Sequence, residues 1–283
     1  MNISLTASHI FQLFSEISKI LSKYSINSPE AEAELIINHF FNISRSQIYL
    51  KPDLPVSPEI LTEISNLLAK RCQHDPLQYL LGEVEFYNSI LKVTPDVLIP
   101  RPETELLVDI ILQENPDKGI RMCDLGTGSG AIAIALKKAR PDWQVTATDI
   151  SPVALKLARQ NAQNNHCQID FLLSDIFSDI DTKFDLIVSN PPYISESDYL
   201  LLESEIFYEP KTALIASEDG LYFYHKIIQS ASKYMHLPAT LYLEIGAEQS
   251  SRITKLAVQA GASKIITKQD YNNFDRIMII KFS

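Results

Sequence analysis

Asn190-Pro191-Pro192-Tyr193 closes an apolar run, Phe184 to Ser189, that reads as a buried parallel strand. The two prolines remove two backbone donors and hold the chain extended, which leaves the Asn190 side chain and the Pro191 carbonyl free to face a ligand. Such a corner accepts both hydrogens of a planar NH2 group. An amide or aromatic amine nitrogen is a weak nucleophile because its lone pair is delocalised, and gripping both hydrogens aims that lone pair for in-line displacement. Tyr193 is placed to cover the planar group and to stabilise the positive charge that passes through the transition state. The chemistry implied is methyl transfer to nitrogen, which requires neither a metal nor a covalent intermediate.

A second constellation, Asp124-Leu-Gly-Thr-Gly-Ser-Gly130, follows another apolar run and holds three of the chain's eight glycines, at 126, 128 and 130. Glycines there clear the backbone for close approach of a nucleoside. Gly126, Thr127, Gly128, Ser129 and Gly130 are therefore candidate cofactor residues. The loop alone does not choose the cofactor, since it also satisfies the dinucleotide fingerprint with Ala131 at its last position. Asp149, closing the next strand, suits a ribose diol in either case. What separates the readings is Asn190 to Tyr193, for which a dehydrogenase offers no reason; the bland alternative is an Asn-Pro turn with a packed tyrosine.

Both constellations need a scaffold. From Ile120 onward strands and helices alternate: strands at 120–125, 144–149, 168–173, 184–189, 240–245, 263–267 and 275–281, helices at 131–139, 152–165, 221–234 and 249–260. That pattern predicts an open α/β sheet covered on both faces, in which ligands bind beyond the carboxyl ends of the strands at the switch point. Upstream, 7–24, 29–41 and 58–72 repeat apolar residues at helical spacing, with Ser28-Pro29 and Ser57-Pro58 as helix starts. Between them and the sheet, Gly82 to Tyr87 and Ile90 to Val93 read as a hairpin turning at Asn88-Ser89. Leu98 to Glu105, stiffened by Pro100 and Pro102, is an extended approach to the cofactor mouth. The division expected is a helical domain at 1–74, a hairpin connector at 75–102 and an α/β domain at 103–283.

With 283 residues, 46% hydrophobic, the chain is long enough for about two globular domains. A formal charge of -10 speaks against a broad nucleic-acid footprint, which needs clustered Lys and Arg. The N-terminus lacks the pattern of a signal peptide and no apolar span reaches membrane length, so a soluble cytoplasmic protein is expected. Cys72, Cys123 and Cys167 are too scattered for a zinc site or a disulfide framework and read as small buried hydrophobes.

Beyond Asn190-Pro-Pro-Tyr193 and the glycine loop, the chain carries Pro76-Leu-Gln-Tyr-Leu-Leu-Gly82, Ile99-Pro-Arg-Pro-Glu-Thr-Glu105, Tyr208-Glu-Pro210 with Ala213-Leu214, and Leu243-Glu-Ile-Gly246. In that series it resembles, over essentially its full length, the HemK/PrmC family of N5-glutamine methyltransferases that modify peptide chain release factors. The resemblance implies a seven-stranded, Rossmann-like class I S-adenosylmethionine-dependent methyltransferase domain with a small helical N-terminal domain that recognises substrate. It implies S-adenosylmethionine as cofactor, S-adenosyl-L-homocysteine as product, and the glutamine of the Gly-Gly-Gln loop as acceptor; the acidity and the lack of a membrane-length apolar span lead us to expect no nucleic acid or membrane partner, and a monomer is the default. Gly126 to Gly130 then line the cofactor site, Asp149 binds the ribose, and Asp175 with Ile176 flanks the adenine; Asn190 sits between cofactor and acceptor, and Asn190, Pro191, Pro192 and Tyr193 hold the glutamine amide. Two positions depart from the family's habit: Ile176 stands where an aromatic residue is common, and Asn272 where a glycine is usual. The rival acceptor is the N6 amine of a flipped-out adenine, and a non-catalytic scaffold of the same fold is a third reading.

Overall fold

The computed structural model describes residues 3–116 and 119–283. Met1, Asn2, Asp117 and Lys118 lie outside the described residues, so the first two residues of the N-terminal stretch read above are among them. The chain forms two compact units, 1–82 with 204–208, and 83–203 with 209–283.

The first unit contains α1 (Ile10–Lys23), α2 (Pro29–Phe41), α3 (Arg45–Leu50), α4 (Pro58–Arg71) and α5 (Leu77–Leu81). Ser57 caps α4 as expected, its hydroxyl accepting the Ile60 N–H at 3.4 Å. Ser28 does not cap α2 with its side chain: proline disfavours the right-handed helical region for the residue before it, and Ser28 turns left-handed, with φ 53°. Helix α5 lies in the stretch 75–102 read as connector; Leu77 packs into the same apolar cluster as Ile36 and Leu68, which carries the helical unit to Gly82. Among the described residues of this unit, one charged side chain lies inside. Arg71, 2% exposed, donates through Nε and Nη2 to the Glu32 carboxylate of α2 at 2.7 and 2.8 Å, through Nη2 also to Glu205 at 2.8 Å, and to the Asp75 carbonyl at 3.2 Å. A guanidinium removed from water needs such planar, paired acceptors, and this one gathers the segment 204–208 into the helical unit, where the Tyr208 hydroxyl also donates to the Gln73 carbonyl.

The second unit opens with β1 (Glu83–Phe86) and β2 (Ser89–Lys92), an antiparallel pair. Their turn is Tyr87-Asn88, one residue earlier than expected: both are left-handed, with φ 45° and 59°, the geometry that matches strand twist, while Ser89 is already buried in β2. Then follow α6 (Pro102–Glu114), β3 (Arg121–Leu125), α7 (Ala131–Ala139), β4 (Gln144–Asp149), α8 (Pro152–Asn164), β5 (Asp170–Leu173), β6 (Phe184–Ser189), the one-turn helices α9 (Glu196–Tyr199) and α10 (Ser217–Gly220), α11 (Tyr222–Ala231), β7 (Met235–Glu244), α12 (Ser250–Gln259), β8 (Lys264–Gln269) and β9 (Asp275–Phe282). The sheet order is β5-β4-β3-β6-β7-β9-β8, parallel except at β9, which pairs antiparallel with both neighbours. Apolar clusters on the two faces bury Leu107 and Ile134 on one side, Ile228 and Ile253 on the other. After β3 the chain builds outward to β4 and β5, then returns to β3's other edge as β6. The switch point thus lies between β3 and β6, the two strands whose ends carry the glycine loop and Asn190.

At the β8–β9 turn the left-handed residue is Asn273, φ 63°, not Asn272. The Asp270 carboxylate accepts the N–H of Asn272 at 2.9 Å and of Phe274 at 3.1 Å, which places the reversal between them.

Candidate active site

Gly126 and Gly128 are left-handed, with φ of 70° and 56°, and nothing stands within 4 Å of where a Cβ would be on either. They form a cradle that side chains would fill. The loop is tied from beneath: the Thr127 N–H donates to the Thr148 carbonyl at 2.8 Å, its hydroxyl to Asp124 Oδ2 at 2.6 Å, and the Gly128 N–H to Asp149 Oδ2 at 2.8 Å. Asp149 Oδ1 meanwhile accepts the Ser151 N–H at 2.9 Å. Each carboxylate oxygen keeps a further lone pair, so Asp149 can join the loop to β4 and still accept from a diol. Burial raises its pKa, and the N–H groups of Ser151 and Gly128 pull it back. Asp124, fully buried below, is pushed up to about 7, chiefly by burial.

A cavity of about 390 Å³ lies above this cradle. Gly126, Thr127, Gly128, Ser129, Asp149, Asp175, Ile176, Asn190, Pro191 and Pro192 all line it, bringing most of the residues singled out in the sequence to one space. Its wall also includes Leu98, Pro100, Arg101 and Thr104 from the proline-stiffened approach. Glu209, buried, holds that wall by accepting the Ile99 N–H at 3.1 Å and pairing with Arg101. Ile176 is left-handed, φ 55°, strained for a β-branched residue, and offers the cavity an aliphatic surface.

Two expected residues stand outside the cavity. Gly130, φ 87°, ends the loop where α7 packs on α8: a Cβ there would lie 3.1 Å from Ile134 and 3.3 Å from Ala158. Tyr193 is not among the lining residues; its ring packs against the apolar cluster that includes Ile227, and its hydroxyl points to Glu244 Oε1 at 3.5 Å. The Tyr193 carbonyl accepts from Gln249 Nε2 at 2.9 Å, which fixes the main chain after the prolines.

Behind Asn190 lies a network that motif reasoning missed. Asn190 Nδ2 lies 3.2 Å from Thr104 Oγ1, and that hydroxyl lies 2.7 Å from Oε2 of the fully buried Glu244. Burial pushes Glu244 up to about 7, against the pull of the Thr104 hydroxyl and the Arg276 guanidinium. Burial also raises the Tyr193 phenol, helped by the charge of Glu244. Thr104 lies within Ile99 to Glu105 and Glu244 within Leu243 to Gly246, and an acid among apolar residues at a strand end was the one signal available for the second. Among the described residues no cluster of His, Cys, Asp and Glu could hold a metal, and no helix is long and apolar enough to cross a membrane.

A model of the PrmC N-terminal domain matches residues 12–82, and one of the methyltransferase small domain matches residues 102–235. The release factor glutamine methyltransferase of Thermodesulfovibrio yellowstonii is 40% identical over 278 residues, 95% of this chain and 97% of its own length. That of Streptococcus pneumoniae is 48% identical over 204 residues, 70% of this chain and 73% of its own. Among solved structures, the hMettl16 catalytic domain in complex with a 3'UTR hairpin matches with a TM-score of 0.57 at 17% identity, covering 77% of this chain and 82% of that one. A T. thermophilus 16S rRNA methyltransferase in complex with AdoMet and guanosine matches with a TM-score of 0.51 at 14% identity, covering 71% and 50%. Likeness at such identity establishes the methyltransferase fold alone.

Proposed function

Because the chain belongs to the release factor glutamine methyltransferase family, we propose that it methylates N5 of the glutamine in the Gly-Gly-Gln loop of peptide chain release factors, using S-adenosylmethionine and leaving S-adenosyl-L-homocysteine. The observation that carries this reading is that Asn190 and Pro191 share one cavity with the glycine cradle and Asp149. S-Adenosylmethionine supplies a methyl group on a sulfonium centre. The chain's own residues do the rest. Gly126 to Ser129 hold the cofactor against exposed backbone, Asp149 accepts its ribose hydroxyls, and Asp175 with Ile176 borders its base by aliphatic packing rather than stacking. Asn190 Oδ1 and the Pro191 carbonyl accept the two amide hydrogens, turning the nitrogen lone pair toward the methyl group and raising its nucleophilicity where the reaction needs it.

The acidity of the chain supports a protein rather than a nucleic-acid acceptor, and the helical unit is the part assigned to recognising the release factor outside the loop. Translation termination is cytoplasmic, and the enzyme is expected there as a monomer. Incubation with methyl-labelled S-adenosylmethionine and either intact release factor or duplex DNA, followed by mass mapping, tests the assignment. Label on the loop glutamine is expected; label on adenine makes the chain an N6-adenine methyltransferase, and no transfer to either acceptor leaves only the scaffold reading.

A further inference from the structure

An asparagine amide does not orient itself, because its oxygen and nitrogen are nearly isosteric and the two flips differ only in what surrounds them. On the reading above, Asn190 must present its oxygen to the acceptor; the opposite flip would set N–H against N–H. The Thr104 hydroxyl has a single proton and lies within hydrogen-bond reach of both Glu244 and Asn190. A carboxylate only accepts, so that proton goes to Glu244 Oε2, at 2.7 Å. Thr104 Oγ1 is then left with lone pairs alone, and the group 3.2 Å away must be a donor. That donor is Asn190 Nδ2, which leaves Oδ1 for the other side. The flip is dictated by the charge of a residue two hydrogen bonds removed.

We propose that Thr104 and Glu244 are positioning residues for the methyl-transfer step, forming a one-way hydrogen-bond relay that holds Asn190 with its NH2 inward and its Oδ1 toward the acceptor amide. The proposal rests on the acceptor role of Asn190 and adds to it residues that no substrate atom need touch. The surroundings of Glu244 come from several elements: Thr104 and the like charge of Glu103 from α6, Arg276 from β9, the Tyr193 hydroxyl from the segment after β6, and Tyr224 of α11, which donates to the Glu244 main-chain carbonyl at 2.9 Å. Protonated Glu244 becomes a donor to Thr104, whose proton then turns to Asn190 and favours the wrong flip.

The test compares single-turnover rates of the full-length enzyme on intact release factor with calorimetric cofactor affinity. Thr104→Val, which keeps the shape and removes the hydroxyl, should slow methyl transfer about 10-fold to 30-fold, the scale of one lost hydrogen bond to a reacting site, with cofactor affinity unchanged. Thr104→Ser should restore the rate. Wild type should show a rate that rises with pH through the ionisation of Glu244, near 7, and Thr104→Val should lose that dependence. A wild-type rate in Thr104→Val overturns the relay, as does a wild-type profile flat between about pH 5 and 9, a measurement that stands if the variant does not fold. Asn190→Ala, run alongside, separates the two levels. If it is slow while Thr104→Val is not, only the relay fails; if it too is unimpaired, the acceptor reading itself fails.

Discussion

The glycine loop and the Asn190 corner sit at the ends of adjacent strands, yet they are held by different means. The loop from Gly126 to Gly130 is tied by main-chain groups and by Asp124 and Asp149, partners three to about twenty residues away at the ends of β3 and β4. The corner from Asn190 to Tyr193 depends on Thr104, Glu244 and Gln249, which lie 86, 51 and 56 residues from the residues they contact or approach. A nucleoside cradle is common to many reactions and can be built from a strand and the next turn. The Asn190 corner instead takes its rigidity from elements that meet only in the finished fold.

The largest break in that comparison is expected at its reacting end. Asn190→Ala should lower turnover by about 10² to 10³ while leaving cofactor affinity intact, the cost of removing one donor or acceptor preorganised for a transition state; steady-state kinetics beside calorimetry decides it, and unchanged turnover removes Asn190 from the reaction. The converse substitution, Asp149→Ala, should weaken cofactor binding by roughly 1.5 to 3 kcal/mol, the scale of charge-assisted hydrogen bonds, and also loosen the loop through Gly128. An unaltered affinity would falsify the role given to Asp149.

Gly220→Ala probes the corner's support rather than its chemistry. Gly220 has φ 81°, and a Cβ there would meet the Tyr193 carbonyl oxygen at 2.2 Å and Gln249 Nε2 at 2.6 Å. The substitution should cost about 1 to 3 kcal/mol and lower the melting temperature by several degrees, with turnover falling more than cofactor affinity. A melting curve and kinetics like wild type would mean that the corner tolerates displacement.

One pH-dependent effect is shared by both regions, since each has a fully buried carboxylate beneath it. Asp124 under the loop is raised from 3.8 to about 7 and Glu244 behind the corner from 4.5 to about 7, both mainly by burial. In each case the folded state holds a proton that the unfolded chain has released. Their contribution to stability is therefore complete below about pH 4 and is lost as pH rises toward 7, with a slope of at most about 1.4 kcal/mol per pH unit for each group. Denaturant titrations should show Asp124→Asn gaining on wild type as pH rises across that window; a gap that is constant with pH shows that Asp124 is not the proton carrier.

Much of this was legible locally. The alternation from β3 to β9 follows from apolar periodicity, and the glycine loop and Asn-Pro-Pro-Tyr motif announce themselves because their backbone needs rare residue types. The surroundings of Tyr193 were not legible, because the chain after the two prolines is held by Gln249 and Gly220, which fix the carbonyl beside it. Asn88-Ser89 was off by one because Tyr87 takes a left-handed conformation that its type does not advertise. Thr104 and Glu244 were invisible as a pair, since neither residue signals a hydrogen bond 140 positions away.

The chain passes between its two units at Gly82, again at Glu203 and back at Tyr208. Arg71, buried among Glu32, Glu205 and the Asp75 carbonyl, shows that the middle visit is part of the helical unit's own interior electrostatics. The helical unit is therefore not a detachable module. A fragment ending at Gly82 would keep Arg71 and lose Glu205, and grafting a foreign helical unit onto this sheet would have to import its matching pentapeptide into the loop that follows the acceptor motif. In this chain the helical unit and the five residues at 204–208 are inherited together or not at all.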